Sequence, residues 1–250
     1  MSLAVSDTAK RLIALRRAET PGSAHPASWH ELSDGEAYAV QAEVQHLAQE
    51  TVDGWKVAIG PQGRAIAAPL LGSTILASPA RLALGRGVTL KLETEFAFTL
   101  ASDLPPRARA YTRAEVLAAL AEARAAFELV RPRAGEPGEA PFARFLADNL
   151  GNAHTVLATR GGSPAELALR TAWAALSRDG TPIASGSHPA GDPLLPLLNY
   201  ANAPADRLGG LRRGQLVITG SLTGAVAVAG PGTYVGAIQG LEPVAIGFFN

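Results

Sequence analysis

The chain has 250 residues, in which 22 lysines and arginines balance 22 aspartates and glutamates, and it contains no cysteine. This length predicts one domain, or one domain with a small appendage, and is sufficient for a sizeable core. The balanced charge argues against a nucleic-acid partner or an anionic membrane, and the lack of cysteine excludes disulfides, thiolate metal sites and a cysteine nucleophile. No apolar run approaches the roughly 18 residues of a membrane span, and residues 1–19 do not read as a signal peptide, so we expect a cytoplasmic protein.

The first part of the chain predicts helices, and the remainder predicts mainly strands. Residues 9–15 fit an amphipathic helix, residues 20–28 form a loop rich in Pro, Gly and Ser, and Ser33 with Glu36 forms a capping box ahead of a second helix. From Gly54 onwards, short runs of Val, Ile and Leu alternate with Gly and Pro, as is typical of strands and turns. We therefore divide the chain into an N-terminal helical region and a β-rich domain that act as one continuous unit, with the bounds 1–75 and 76–250.

Three further helices are predicted within the β-rich part, and the last fifty residues return to strands. The helices begin at the capping patterns Thr112–Glu115 and Ser163–Glu166 and at Asp192-Pro193, and they run through residues 115–126, 167–180 and 194–203. Residues 167–180 could form a strand or a helix, and their high content of Ala and Leu favours the helix. The fold class is therefore α+β, with helices at the front and a large antiparallel or mixed β body. No Gly-x-Gly-x-x-Gly follows a predicted strand and no Walker sequence occurs, so nucleotide binding has no local support.

Residues 91–99 predict a strand that carries two neighbouring carboxylates. The period of two places Glu93 and Glu95 on one face and Phe96 and Phe98 on the other. Like charges at that spacing repel, so solvent, a basic neighbour or a divalent cation must compensate them, and a solvated sheet face is the simplest interpretation. Glu128 is a further acid within an apolar stretch. Three carboxylates without His or Cys would make an oxygen-only site, which suits Mg²⁺ or Mn²⁺ better than Zn²⁺.

Lys56 is an unusual residue because it lies within the short apolar strand predicted at residues 54–60. One interpretation is a lysine whose stem is buried while its ammonium reaches water. The other is a functional cation that binds a substrate carboxylate or relays a proton, with its pKa lowered by burial. The residues alone leave both open.

Six segments of the chain occur in an order that is typical of one known family. They are residues 37–41 (AYAVQ), 54–57 (GWKV), 93–98 (ETEFAF), 127–130 (FELV), 147–149 (ADN) and 214–222 (GQLVITGSL). Together they resemble the 2-keto-4-pentenoate hydratase / 4-oxalocrotonate decarboxylase family, within the fumarylacetoacetate-hydrolase-like superfamily. The resemblance runs from about residue 30 to the C-terminus. Each motif alone is weakly specific, and the ordered set indicates the family more than the reaction.

The resemblance implies a fold, a metal and a set of site residues. The fold would be a β-rich roll like the C-terminal part of fumarylacetoacetase, preceded by small helices, which makes residues 76–250 the catalytic domain. The metal would be Mg²⁺ or Mn²⁺. The matching residues are Glu93, Glu95 and Glu128 as metal ligands, Lys56 as the catalytic lysine, and Thr219, Ser221 and Asp148 as substrate-binding residues.

The activity implied by the resemblance is the metal-dependent addition of water to a small 2-hydroxy-dienoate or 2-oxo-alkenoate, as in meta-cleavage degradation of aromatic compounds. The metal would chelate the adjacent oxo and carboxylate oxygens and stabilise an enolate, and Lys56 would move the proton. Three alternatives stay open: decarboxylation of a 2-oxo-3-enedioate of the 4-oxalocrotonate type, hydrolysis of an acylpyruvate C–C bond, and a non-catalytic role. The implied partners are a small 2-oxo acid, further copies of this chain in a homo-oligomer, and a pathway enzyme.

The chain also departs from the family pattern, and its histidines need separate consideration. The departures lie at residues 58–64, 150–154 and 186–190, and they bear on substrate and activity more than on fold or metal. Acylpyruvate hydrolysis usually requires a His–Glu pair, and no histidine lies near the two glutamates in sequence. We expect surface or structural roles for His25, His30 and His46, with substrate contact the alternative for His25. We expect hydrogen-bonded structural roles for His154 and His188, with pocket lining the alternative for both.

Overall fold

The structure, a computed structural model, describes residues 2–18, 29–85, 89–135, 138–206 and 208–250. Within these ranges the chain forms five α-helices and thirteen strands. The helices are α1 (Leu3–Arg17), α2 (Asp34–Ala48), α3 (Arg113–Ala118), α4 (Phe142–Ala147) and α5 (Leu195–Asn202). The strands are β1 (Val52–Ile59), β2 (Ala65–Leu71), β3 (Ile75–Ala77), β4 (Ala80–Ala83), β5 (Lys91–Leu100), β6 (Leu120–Val130), β7 (Asn152–Leu157), β8 (Trp173–Arg178), β9 (Thr181–Ser187), β10 (Leu216–Ser221), β11 (Val226–Ala227), β12 (Gly232–Ile238) and β13 (Val244–Phe249).

The strands form two mixed sheets that share one core. The larger sheet has the order β2-β1-β10-β5-β6-β7-β3, with β11 paired to β5, and the smaller has the order β4-β13-β12-β8-β9. Most neighbours are antiparallel, whereas β1 with β10, β3 with β7 and β4 with β13 are parallel. A short connection between two neighbouring strands gives an antiparallel hairpin, whereas a parallel pair needs a longer connection. The parallel pairs therefore show that distant parts of the chain meet in both sheets. The α+β fold class is confirmed.

The core between the two sheets fixes the orientation of β5. Phe96 and Phe98 of β5 are completely buried on the side that faces the smaller sheet, together with Phe127 of β6. At Gly236 of β12 an added Cβ would lie 2.6 Å from the Phe127 ring, so only glycine allows the sheets to approach this closely. With its aromatic residues buried in this core, β5 presents Glu93 and Glu95 on the opposite face.

The N-terminal helices cover part of that opposite face. The capping box of α2 forms as predicted, since the Ser33 hydroxyl accepts from the Glu36 amide and the Glu36 carboxylate accepts from the Ser33 amide. Apolar residues of α1 and α2 pack with α4 in a second core. The longest described helices have 15 residues, and no described helix is long and apolar enough to cross a membrane.

The division of the chain at residues 75 and 76 stays a prediction. It falls within β3, and residues 1–75 supply β1 and β2 to the larger sheet in addition to two helices. The loop predicted at residues 20–28, with His25, lies outside the described residues. The helical and β-rich parts therefore share one sheet across that division.

The helix predicted at residues 115–126 is largely wrong. The capping box of Thr112 and Glu115 forms, but α3 ends at Ala118 and β6 begins at Leu120. The alanines of β6 favour a helix by propensity. Pairing with β5 on one side and β7 on the other buries this strand and outweighs that preference.

Of the two alternatives for residues 167–180, the favoured helix is wrong and the structure shows a strand. The segment contains only a short 3₁₀ turn, Leu169–Thr171, followed by β8, which pairs with β9 and β12. The third predicted helix exists as α5, but it begins at Leu195. Asp192 precedes it, and its Oδ1 accepts from the Leu194 amide at 3.1 Å. Strand pairing over long sequence distances again decides against local propensity.

Candidate metal centre and active site

Three glutamates meet on the face of the larger sheet that lies away from the aromatic core. Glu93 and Glu95 lie on one face of β5, and Glu128 of β6 is the direct cross-strand partner of Glu93. One carboxylate oxygen of each residue lies within 4.8 Å of the others. Glu95 and Glu128 are completely buried, and Glu93 is partly exposed. The structure thus brings together the three acids that the sequence singled out.

Lys56 of β1 reaches the same cluster. Its Nζ lies 2.6 Å from Oε2 of Glu128, and both side chains are largely buried. Neighbouring strands lie about 4.8 Å apart and side chains stand roughly perpendicular to a sheet, so in a flat sheet β1 and β6, with two strands between them, would be too distant for this contact. The larger sheet therefore curls around the cluster, which is how a lysine from a distant strand enters it.

The cluster has an excess of negative charge. Burial raises the pKa of Glu95 well above its usual value, and the neighbouring Glu128 and Glu93 raise it further. Burial also raises the pKa of Glu128 to about 7, although Lys56 opposes the shift. Burial by itself would lower the pKa of Lys56, as predicted, but the three carboxylates outweigh it and raise that pKa. The predicted direction for Lys56 is therefore wrong, because the neighbouring charges exceed the cost of burial.

The donor atoms of the cluster fit a hard divalent cation. Oε2 of Glu95 accepts from the Gly220 amide at 2.7 Å, whereas its Oε1 is buried without a hydrogen-bond partner among the described residues. A buried oxygen left unpaired is costly. A cation of charge two would pair with this oxygen and balance the two negative charges that Lys56 leaves uncompensated. An oxygen-only donor set of this kind suits Mg²⁺ or Mn²⁺.

A short segment in an unusual backbone conformation faces Lys56. Asn149 and Leu150 both have positive φ angles, 52° and 51°, which are uncommon for residues other than glycine. This conformation directs the Leu150 carbonyl towards Lys56, whose Nζ donates to it at 3.4 Å. Oδ1 of Asn149 is buried and has no partner in the described part of the chain. Two consecutive strained residues beside a buried lysine indicate a functional constraint on this segment.

Asp148 does not contact the carboxylate cluster directly. Its Oδ1 accepts from Nη1 of Arg133 at 3.0 Å, and its Oδ2 accepts from the Arg133 amide at 2.5 Å. Nη2 of Arg133 donates to the carbonyl of Asn152 at 3.1 Å, and Nδ2 of Asn152 donates to Oε1 of Glu128 at 2.8 Å. Sequence reasoning missed Arg133 and Asn152, which no quoted motif contains. Substrate binding by Asp148 stays a prediction.

The predicted substrate residues Thr219 and Ser221 flank the glycine that holds Glu95. Thr219 is buried, and its Oγ1 has no partner among the described residues. Ser221 is partly exposed, and its Oγ donates to the Gly224 carbonyl at 3.0 Å. The segment is therefore attached to the cluster through the Gly220 amide. Contact of either hydroxyl with substrate stays a prediction.

His188 supports this segment from behind, in keeping with the structural role expected for it. It is buried, its Nδ1 accepts from the Ala190 amide at 3.3 Å and its Nε2 then donates to the Thr219 carbonyl at 3.0 Å, which assigns a neutral tautomer. Burial lowers its pKa. His30 and His46 are exposed. Among the described residues, no histidine forms a hydrogen bond or ion pair with the three glutamates.

Two curated proteins named 2-keto-4-pentenoate hydratase are similar to this chain. The protein of Burkholderia vietnamiensis is 36% identical over 160 residues, which is 62% of this chain and 58% of that protein. The protein of Paraburkholderia phymatum is 35% identical over 164 residues, which is 63% of this chain and 60% of that protein. The resemblance predicted from the sequence is confirmed. The match spans about three-fifths of each relative's length, and no family model matches the chain.

Solved structures show the same fold. The 4-oxalocrotonate decarboxylase from Pseudomonas putida G7, complexed with magnesium and adipate, superimposes with a TM-score of 0.86 at 21% identity, covering 98% of this chain and 97% of that one. The fumarylpyruvate hydrolase from Pseudomonas aeruginosa, in complex with Mn²⁺ and pyruvate, has a TM-score of 0.59 at 15% identity, covering 78% of this chain and 88% of that one. The prediction of small helices before a β-rich roll is confirmed.

Proposed function

We propose that this chain is a member of the 2-keto-4-pentenoate hydratase family and adds water to a small 2-hydroxy-dienoate or 2-oxo-alkenoate. The observation that carries the proposal is the buried cluster of Glu93, Glu95 and Glu128 with Lys56 at 2.6 Å from Glu128. The similarity to two proteins named as hydratases supports the reaction.

The three glutamates would hold Mg²⁺ or Mn²⁺. When bound, such an ion supplies a Lewis acid that polarises the oxo and carboxylate oxygens of a 2-oxo acid and stabilises negative charge as an enolate develops. The relatives in fold whose structures contain magnesium or Mn²⁺ support this choice of metal. Gly220 and Asn152 orient two of the ligands, since their N–H groups bond to Glu95 and Glu128.

Lys56 would hold and deliver the proton. The surrounding carboxylates raise its pKa, so its ammonium is kept charged in a buried position. Glu128 lies close enough to exchange a proton with it, and Leu150 accepts a second hydrogen bond that directs the amine. A charged, oriented ammonium next to the ligands can protonate a dienoate carbon as the tautomer changes, or pair with the substrate carboxylate.

The part of the same sheet face next to Glu95 is apolar. Ala126 pairs with Glu95, and Ile218 pairs with Ala97, so these apolar side chains lie on the carboxylate face. They belong to one buried apolar cluster. An apolar surface next to Glu95 would exclude water from unproductive positions and suits an alkenyl chain. Arg124, the cross-strand partner of Ala97, lies further along the same face and is paired with Glu122.

The test is hydration of 2-hydroxypenta-2,4-dienoate, followed by loss of dienoate absorbance, after chelator treatment and reloading with Mg²⁺ or Mn²⁺. We expect activity only with metal. Lys56→Met is expected to lower kcat by roughly 10²- to 10⁴-fold, because it removes a positioned proton donor. Lys10→Met, at an exposed lysine of α1, is the matched control and should keep full activity. Absence of metal-dependent hydration by the wild type, or full activity of Lys56→Met, would contradict the proposal.

Decarboxylation is a second candidate because the decarboxylase from Pseudomonas putida G7 shares the fold over almost the whole chain. The same metal-loaded protein is tested with a 2-oxo-3-enedioate, and CO₂ release is measured. Release of CO₂ at a higher kcat/KM than hydration of the dienoate would assign the decarboxylase reaction instead.

We also propose that the protein assembles as a homo-oligomer. Trp173 of β8 is 54% exposed and Ile183 of β9 is 42% exposed, and β9 is an edge strand of the smaller sheet. Exposed apolar residues at a sheet edge are typical of contacts between copies. Light scattering is expected to give a multiple of 25.8 kDa for the wild type and a smaller mass for Trp173→Glu. A monomeric wild type would contradict this; association with a pathway enzyme stays a prediction.

A further inference from the structure

A second cavity, separate from the glutamate cluster, lies beside the last turn of α1 and the start of β7. Its volume is about 280 Å³. None of its described lining residues is one of the three glutamates or Lys56. Its basic lining residues are four arginines and a histidine, namely Arg16, Arg17, Arg131, Arg133 and His154. In a chain whose formal net charge is zero, such a concentration of basic side chains around one cavity needs an explanation.

Arg16 is the most informative of these residues. Its Nε and Nη2 are buried and have no hydrogen-bond partner in the described part of the chain. Burial, aided by the neighbouring Arg133, lowers the pKa of Arg16 to about 9. The negative end of the α1 helix dipole partly compensates the positive charge of this guanidinium. It does not supply the acceptor atoms that the planar N–H groups of an arginine require. Two buried guanidinium nitrogens without acceptors are unfavourable unless a ligand provides them.

Neither of the described carboxylates next to the cavity supplies an acceptor to the buried nitrogens of Arg16. Glu50 lines the cavity, and its Oε2 already accepts from the Ser73 amide at 3.0 Å. Asp148 is bound to Arg133. Both carboxylates are therefore already engaged, and neither accepts a hydrogen bond from Nε or Nη2 of Arg16. His154 adds a buried Nδ1 without a partner among the described residues, and burial lowers its pKa.

We propose that this cavity binds a small oxyanion, either inorganic phosphate or a small carboxylate, with Arg16 as the anchoring residue. A carboxylate or phosphate group matches the guanidinium fork with two parallel hydrogen bonds. The cavity volume is slightly below the range of about 300–1,000 Å³ that is typical of ligand pockets, so it suits a compact anion rather than a nucleotide. The proposal is independent of the hydratase reaction, because the residues of the glutamate cluster take no part in it.

The test is titration calorimetry of the chelator-treated full chain at low salt, with inorganic phosphate in one series and succinate in another. We expect one site for at least one of the two anions, and comparison of the series distinguishes a phosphate ligand from a carboxylate ligand. Arg16→Met is expected to weaken binding roughly 10- to 100-fold, through loss of charge-assisted hydrogen bonds. Arg160→Met is the control, because that side chain is 83% exposed and pairs with Glu242 instead.

Thermal unfolding gives a second measurement that separates a binding defect from a folding defect. Without anion, Arg16→Met should melt no lower than the wild type, because the variant removes two buried nitrogens that have no hydrogen-bond partner among the described residues. The anion should raise the melting temperature of the wild type and leave that of Arg16→Met unchanged. Glu95→Gln should retain anion binding. No binding by the wild type, equal affinity in Arg16→Met, or loss of binding in Glu95→Gln would overturn the proposal.

Discussion

Replacing Glu95 with glutamine is expected to weaken Mg²⁺ and Mn²⁺ binding by roughly 100-fold or more, and to lower hydratase activity by a similar factor. Glutamine keeps the shape of the side chain but removes the carboxylate of one of the two completely buried acids in the cluster. The measurement is calorimetric titration with each metal, with and without oxalate or pyruvate. In the wild type the oxo acid should strengthen metal binding, because it would complete the coordination of a metal held by carboxylates.

The same Glu95→Gln substitution that weakens metal binding should make the metal-free protein more stable. Glu95→Gln removes a completely buried carboxylate that is repelled by Glu93 and Glu128, so we expect the free energy of unfolding to rise by about 1 kcal/mol or more at neutral pH. Glu122→Gln is the matched control on β6, where the acid pairs with Arg124, and it should bind metal like the wild type. Weaker binding in a more stable variant cannot be attributed to unfolding. Unchanged metal affinity in Glu95→Gln would refute the assignment of this residue as a ligand.

The part of this site that the sequence predicted well is the part that depends on local periodicity. The alternation around Glu93 and Glu95 predicted a strand with one aromatic face and one acidic face, and β5 has that arrangement. The direct pairing of Glu93 with Glu128 depends on the register between β5 and β6, which no local pattern contains. The resemblance to a known family supplied that link.

Local propensity failed where pairing over long distances decides the structure. The segment that became β6 is rich in alanine and follows a genuine capping box, so a continuing helix was the local expectation. Arg133 and Asn152 likewise carry no local signal, because their significance arises only when the chain folds and joins Asp148 to Glu128. A polar network that connects distant segments can be recognised in the folded structure, but the spacing of residues along the sequence does not predict it.

The network that joins Asp148 to Glu128 through Arg133 and Asn152 predicts a large loss of stability when Asp148 is replaced. Asp148→Asn is expected to lower the free energy of unfolding by about 3–5 kcal/mol, because it leaves the buried guanidinium of Arg133 without its counter-charge. Urea unfolding followed by tryptophan fluorescence measures the loss. Asn152 would be displaced together with Arg133, so kcat should fall while KM changes little.

A substrate-binding role for Asp148 would give a different result. If its carboxylate contacts substrate, Asp148→Asn should fold with nearly normal stability and raise KM instead. The double variant Arg133→Met with Asp148→Leu separates the two roles, since it removes both charges and should regain much of the lost stability. Recovery of stability without recovery of kcat would mean that the ion pair positions Asn152 and, through it, Glu128. Stability that stays near wild type in Asp148→Asn would mean that the pair contributes little to the fold and that the carboxylate serves the substrate.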